Sequence, residues 1–347
     1  MRAAAILPSR NEPATVAAVT AAVDRALSGS GAVIVNADSS DTPATTSAFT
    51  AAPTRAAKTA LTCLVRGKGA QILAAARRPE VAGAEVVLIA DTDTKNPDPA
   101  VYRALVERAR AGAGLAIADY PRHWDEANLT NHLARPLIAA ATGLDVPQPL
   151  AGDLALSAAA LAAAVRAYDA LPRELAGCVD GYGIDAFLLL TAAAHGPVAS
   201  VRFEEAKLHA GSFPHLPDIY RQAVPVLLHL TAARTPADAV APAAYRVGDR
   251  VLAPERLQAM LTVLDGLTPA PDGYHGHPWP LPVADAWHSV NSGGPAVDAA
   301  RRLWPHYVWR VRDWLTGGQG AAPRQRAATL AAAHARLHTA LTPGVPR

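Results

Sequence analysis

The sequence predicts an α/β fold: a mainly parallel sheet flanked by helices, followed by an all-helical C-terminal region. Three observations predict it. Over the first 120 residues, short aliphatic or β-branched runs alternate with segments whose apolar residues recur at helical spacing. The runs are apolar throughout, the pattern of strands buried on both faces. From about residue 215 only helical segments follow, joined by Pro/Gly-rich linkers.

The elements follow in order. "AAAIL" (3–7) is a strand stopped by Pro8, and "PATVAAVTAAVDRAL" (13–27) a helix. "GAVIVNA" (31–37) is a β-branched strand. "TPATTSAFTAA" (42–52) reads as a helix with Asp41 as its N-cap. "LTCLV" (61–65) is the third run, and "KGAQILAAARR" (68–78) a helix opened by Gly67-Lys68-Gly69. "EVVLIA" (85–90) is the fourth run, "PAVYRALVERARA" (99–111) a helix, and "GLAIADY" (114–120) the fifth run. Beyond it, "EANLTNHLARPLIAAATG" reads as a helix, "GYGIDAFLLLTAAAHG" as a loop entering a helix, and "VASVRFEEAKLHAG" as a strand leading into a polar loop.

Composition narrows the function. The chain has 347 residues, half hydrophobic and 18% charged, ample for one large domain or a core domain with an appendage. Its net charge of +2 and the lack of a basic run argue against nucleic acid or a membrane surface as partner. Cys63 and Cys178 lack metal-ligand spacing and read as small buried hydrophobes. The N-terminal apolar run is too short for a signal segment, and no stretch reads as a membrane span. A soluble cytoplasmic protein, forming a homo-oligomer such as a dimer, is the expectation.

In doubly wound sheets, ligands bind at the carboxyl ends of the strands. The residues there are Pro8 to Glu12, then Asp38 to Asp41, then Arg66 to Gly69, then Asp91-Thr92-Asp93. No G-x-G-x-x-G follows the first run and no P-loop occurs, which argues against those two nucleotide folds. What stands out is D-x-D at a strand end. On extended backbone Asp91 and Asp93 point the same way, and they repel unless a cation lies between them. Mg²⁺ or Mn²⁺ takes carboxylates plus phosphate oxygens, so a diphosphate-bearing substrate would complete the shell. Lys68 and Arg10 would neutralise more phosphate charge. The bland alternative is a polar turn with two solvated aspartates.

"ILPSRNEPATVAAV", "ADSSDT", "RGKGAQIL" and "VVLIADTDTKNPDP", in this order, resemble a GT-A fold nucleotide-sugar glycosyltransferase. "YPRHWDEANLT", "QPLAGDLALS", "YGIDAFLL" and "EEAKLHAG" resemble the retaining enzymes that glycosylate glycerate, the mannosylglycerate synthases and glucosyl-3-phosphoglycerate synthases. The resemblance runs from about residue 5 to 225; beyond that only "RLWPHYVWRV" echoes the helical tail. It implies a GT-A domain over 1–214 and a helical region over 215–347.

The resemblance also implies roles. Pro8, Ser9, Arg10 and Glu12 would line the nucleobase and ribose pocket, and Lys68 would meet the nucleotide or its diphosphate. Asp91, Thr92 and Asp93 would meet the donor. Asp91, Asp93 and His209 would ligate Mg²⁺ or Mn²⁺. Gly152 and Asp153, in "LAGD", would form the sugar pocket, with Asp153 accepting from sugar hydroxyls. Asp185 would sit near the anomeric centre or the acceptor, although a carboxylate before an apolar helix also suits an N-cap. The phosphoglycerate enzymes carry an arginine where this chain has Asn128. The spacing of Arg122 and Thr130 instead matches the glycerate-binding pair of the mannosylglycerate enzymes. A small unphosphorylated hydroxy acid such as D-glycerate is therefore the expected acceptor, with His123 and Trp124 leaving room for a larger one; the alternative is a larger or phosphorylated acceptor, 3-phosphoglycerate or a natural product. The donor stays open between GDP-mannose and UDP- or GDP-glucose.

Three rival readings compete. A sugar nucleotidyltransferase would open with a Gly-rich basic loop, which "PSRNEP" lacks. An inverting polysaccharide enzyme would carry Q-x-x-R-W, which is absent. A scaffold protein could use Trp304, Trp309 and Trp314 as a partner surface, although aromatics at such spacing are more often core. The loop "GYHGHPWP", with His275 and His277, lacks further metal ligands and reads as surface.

Overall fold

The computed structural model describes residues 2–29, 31–209, 211, 213–236, 243–274 and 278–342. His275 and His277 lie outside the described residues. The chain divides into two compact units, Met1–Tyr120 with Gln148–Ala223, and Pro121–Pro147 with Val224–Arg347. This division differs from the expected boundary at 214/215. The segment 121–147 groups with the C-terminal helices because its helix packs among them, a pairing of distant segments that no local pattern reveals.

The first unit is built on a seven-stranded sheet of order β3-β2-β1-β4-β6-β5-β7. The strands are β1 (Ala3–Ser9), β2 (Val33–Asp38), β3 (Ala57–Leu61), β4 (Val86–Ile89), β5 (Leu115–Asp119), β6 (Leu154–Ser157) and β7 (Val198–Arg202). Every pairing is parallel except those of β6, which runs antiparallel to both β4 and β5. All residues of β1, β2, β4 and β5 are buried, as their unbroken apolar runs require. β6 had no assignment in "QPLAGDLALS": four residues are too few to show a period.

The helices of this unit are α1 (Val16–Ala26), α2 (Ala44–Ala51), α3 (Lys68–Ala76), α4 (Pro79–Ala82), α5 (Pro99–Arg110), α7 (Ala158–Asp169), α8 (Arg173–Val179) and α9 (Gly183–Ala192), with α6 in the second unit. The start of α5 follows from its sequence. Asp98 caps it by accepting from the Ala100 amide at 2.8 Å, and Pro99 takes the first position. Two expectations fail. α2 begins after Pro43 without a side-chain cap, and Asp41 instead pairs with Asn11 and Arg66. The third strand lies at 57–61 rather than 61–65, because Cys63 turns with φ of 56° and ends the extended path. Cys63 is exposed and Cys178 partly exposed, so neither is the buried hydrophobe expected.

In the second unit, α6 (Arg135–Thr142) ends at Gly143, whose φ of 75° makes the left-handed C-cap. α6 packs on α14 (Pro323–Leu341), and α12 (Leu281–Asn291) on α13 (Ala296–Gly318). α11 (Pro254–Asp265) also packs on α13, and α10 (Leu216–Ala232) begins in the first unit and ends here. Trp124 is fully buried; its indole N–H donates to the Arg250 carbonyl at 2.7 Å, and the Trp314 indole donates to its carbonyl at 2.8 Å. Trp124 is therefore core rather than acceptor pocket, and Trp314 is core rather than partner surface.

No single helix among the described residues is long and apolar enough to cross a membrane. Only α8 and α9 pass as a pair, bent by 101°, and α9 is almost wholly buried in the first unit.

Candidate functional site

The carboxyl ends of β1, β2 and β4 bring the polar motifs of the first unit together. Two buried amides shape the tip of β1. Asn36 donates to the Leu7 carbonyl at 3.0 Å and to Ser9 Oγ at 2.6 Å, and Gln71 donates to the Ser9 carbonyl and Ser39 Oγ, both at 2.6 Å. Pro8 and Ser9 are themselves buried, with the Pro8 carbonyl accepting from Thr92 Oγ1 at 2.8 Å. Within "PSRNE", Arg10 and Glu12 are the charged side chains that reach the surface of the site. Arg10 lies 3.9 Å from Asp41. Burial, then the nearby charge of Asp93, raises the Glu12 pKa.

β4 stops at Ile89, so the D-x-D motif is not extended. Residues 91–94 form a turn closed by Thr94 Oγ1 donating to the Asp91 carbonyl at 3.0 Å. The strand-alternation argument for Asp91 and Asp93 therefore does not hold, and their repulsion is relieved differently. Asp91 is gripped by two ammonium groups: Lys68 Nζ is 3.0 Å from Oδ1, and Lys207 Nζ is 2.9 Å from Oδ2. Burial pushes the Asp91 carboxyl up, but these two cations outweigh it and hold it well below the usual carboxylate range. Asp93 lacks such a grip. Burial and the charge of Asp91 both raise its pKa.

Lys207 also meets Asp153, with Nζ 2.9 Å from Oδ2. Asp153 is fully buried. Its Oδ1 accepts from the Asp91 amide at 3.0 Å, and its Oδ2 also accepts from the Tyr120 hydroxyl at 2.9 Å. This leaves the expected sugar-hydroxyl acceptor acting as the internal brace of the Asp91 turn. Gly152 explains the close approach: a Cβ there would lie 2.1 Å from Asp91 Oδ2, so only glycine fits.

Lys68 opens α3, and its Nζ also lies 2.9 Å from Asp185 Oδ1. Burial opposes its charge, yet Asp185 and Asp91 together hold its pKa above the ordinary lysine value. Asp185 lies in the first turn of α9, whose N-cap is Tyr182, so it is not a cap. Burial pushes its pKa up to about 6, against the pull of Lys68. The amides of Gly69 and Ala70 at the start of α3 already donate to the carbonyls of Gly181 and Asp180, at 3.2 and 2.9 Å.

His209 follows β7, and its Nδ1 is 3.9 Å from Asp93 Oδ2. Neighbouring ligands on one octahedral Mg²⁺ ion, each about 2.1 Å away, stand about 3.0 Å apart, so the two groups would have to close by about 1 Å to share an ion. Among the described residues no three His, Cys, Asp or Glu side chains converge as a complete metal cluster. The remaining ligands would have to come from substrate oxygens and water.

The first unit thus gathers Pro8, Ser9, Arg10, Glu12, Lys68, Asp91, Thr92, Asp93, Gly152, Asp153, Asp185 and His209. Arg122 and Thr130 belong to the second unit, with Thr130 opening a π-helical turn, Thr130–Ala134. Asn128 is buried there, donating to the Asp125 carbonyl at 3.1 Å. Sequence reasoning assigned no role to Lys207, Tyr120, Asn36 or Gln71. One signal was available: the chain has four lysines, and two of them meet on Asp91.

No family model and no curated protein matches the chain. Solved structures do. Glucosyl-3-phosphoglycerate synthase from Mycobacterium tuberculosis with phosphoglyceric acid aligns at a TM-score of 0.53 and 24% identity, covering 68% of this chain and 81% of that one. The same enzyme with Mn²⁺, UDP-glucose and phosphoglyceric acid aligns at 0.52 and 24%, covering 68% and 81%. With Mg²⁺ and UDP it aligns at 0.50 and 25%, covering 68% and 80%. The fold of the chain is the GT-A glycosyltransferase fold.

Proposed function

We propose that the protein is a divalent-metal-dependent glycosyltransferase. In this reading it moves a hexose from a nucleotide-diphosphate sugar to a small unphosphorylated hydroxy acid such as D-glycerate, with retention. The observation that carries it is the pairing of Asp93 and His209 beside an Asp91 already neutralised by Lys68 and Lys207. That geometry sets a repelled carboxylate beside an imidazole, a place where a cation would relieve the repulsion. UDP-glucose is the first donor to test, since the structural neighbours were solved with UDP or UDP-glucose.

Bound there, Mg²⁺ or Mn²⁺ would act as a Lewis acid toward the leaving diphosphate. The chain's own groups do the positioning. Lys68 and Lys207 keep Asp91 ionised and fixed, and the Asp153–Tyr120 pair holds the turn that presents Asp93. Asp185 is held by Lys68 and Asp153 is sealed, so neither is placed as a free nucleophile. This supports a front-face route, in which the leaving phosphate takes the acceptor proton, over a covalent intermediate. Arg122 and Thr130 are the groups proposed for the acceptor's carboxylate and hydroxyl. Asn128 favours glycerate over its phosphate, because a buried carboxamide replaces the arginine of the phosphoglycerate enzymes.

The test is product-mass detection after incubation with UDP-glucose or GDP-mannose, D-glycerate or 3-phosphoglycerate, and Mn²⁺. The expected result is a hexosylglycerate that disappears with EDTA and forms at least tenfold faster than the phosphorylated product. A metal-independent product, or none from any donor, would overturn the reading.

A further inference from the structure

The backbone of the segment that carries Lys207 and His209 is gripped by the Asn96 side chain. Asn96 Nδ2 donates to the Ala206 carbonyl at 3.0 Å, and Asn96 Oδ1 accepts from the Leu208 amide at 2.7 Å. The Lys95 amide adds a bond to the Leu208 carbonyl at 2.8 Å. One carboxamide therefore grips the backbone on both sides of Lys207. The segment borders open space. A cavity of about 210 Å³ lies there, lined by Tyr102, Tyr120, Phe203, Glu204 and Glu205 as well as Lys207 itself. Leu208 is 57% exposed.

We infer that Asn96 is a positioning residue of the proposed transferase. By clamping residues 206 and 208, it places the Lys207 ammonium between Asp91 and Asp153 and the His209 ring beside Asp93. The physical argument is preorganisation. A lysine loses substantial rotamer entropy when it is fixed, and a mobile backbone beneath it would add to that cost. An outer group that orients a ligand typically accounts for 10–100-fold in metal affinity. Asn96 is the third residue after Asp93, so the metal-motif turn and the distant 206–209 loop are tied together by its side chain. A hydrogen bond at an exposed position contributes little to folding, so loss of the clamp separates function from stability.

The inference rests on the proposed function for its metal readout but not for its first one. That first readout is acetylation of the lysines in the metal-free protein, followed by mass spectrometry, with exposed Lys95 as reference. In Asn96→Ala, Lys207 labelling is expected to rise at least fivefold relative to Lys95, with Lys68 unchanged and Tm within about 3 °C of wild type. The second readout is Mn²⁺ binding in the presence of UDP, followed by electron paramagnetic resonance. Affinity should fall about tenfold in Asn96→Ala. It should fall less in Asn96→Asp, which keeps the acceptor for the Leu208 amide. Unchanged Lys207 labelling, or a rise at every lysine together with a fall in Tm, would overturn the positioning role. Increased labelling of Lys207 with no Mn²⁺ bound even by wild type would leave the clamp standing and refute the functional reading.

Discussion

Asp93→Asn is expected to lower turnover by about 10²–10³-fold, the loss typical of removing one electrostatic group aimed at a developing charge. Stability should not fall with it. Asp93 is partly buried, and its carboxyl is pushed up by burial and by the charge of Asp91, with no lysine gripping it. Ionised Asp93 is thus a strained neighbour in the metal-free protein, and its neutral isostere removes that repulsion. The prediction is a Tm equal to or above that of wild type alongside near-complete loss of Mn²⁺-dependent transfer. A stable variant with undiminished turnover would remove Asp93 from the chemistry.

Lys207→Met has the opposite profile, with stability as the largest effect. Its side chain is 4% exposed and its ammonium bonds Asp91 and Asp153, the latter fully buried. Asp91 would keep Lys68, but Asp153 would lose its ammonium partner, and removing one partner of a buried ion pair typically costs about 3–5 kcal/mol. A loss of that size is expected from urea unfolding. The double variant Lys207→Met/Asp153→Asn should recover part of it, because one stranded charge is gone and the Asp91 amide and Tyr120 hydroxyl still find a carboxamide partner. A loss under about 1 kcal/mol for Lys207→Met would mean that the carboxylates do not depend on this lysine.

Much of this was legible in the chain because periodicity reports burial. The runs at 3–7, 31–37, 85–90 and 114–120 are strands, since residues covered on both faces have no polar positions to break the pattern. The edge strand β3 was displaced because an edge tolerates Lys58 and Thr59, which look like loop. At the site, the residue types were readable but not their use. Asp153 looked like a sugar contact, yet its environment is set by Tyr120 and Lys207, 33 and 54 residues away along the chain. Likewise the repulsion in D-x-D was sound physics. Its remedy came from two lysines whose convergence depends on tertiary packing. The grouping of 121–147 with the C-terminal helices is of the same kind.

The most direct measurement is manganese anomalous scattering from crystals grown with Mn²⁺ and UDP. The account predicts one peak within bonding distance of both the Asp93 carboxylate and the His209 ring, with Lys68 and Lys207 still on Asp91. A peak held by Asp91 with its lysines displaced, or no peak in the first unit, would contradict it.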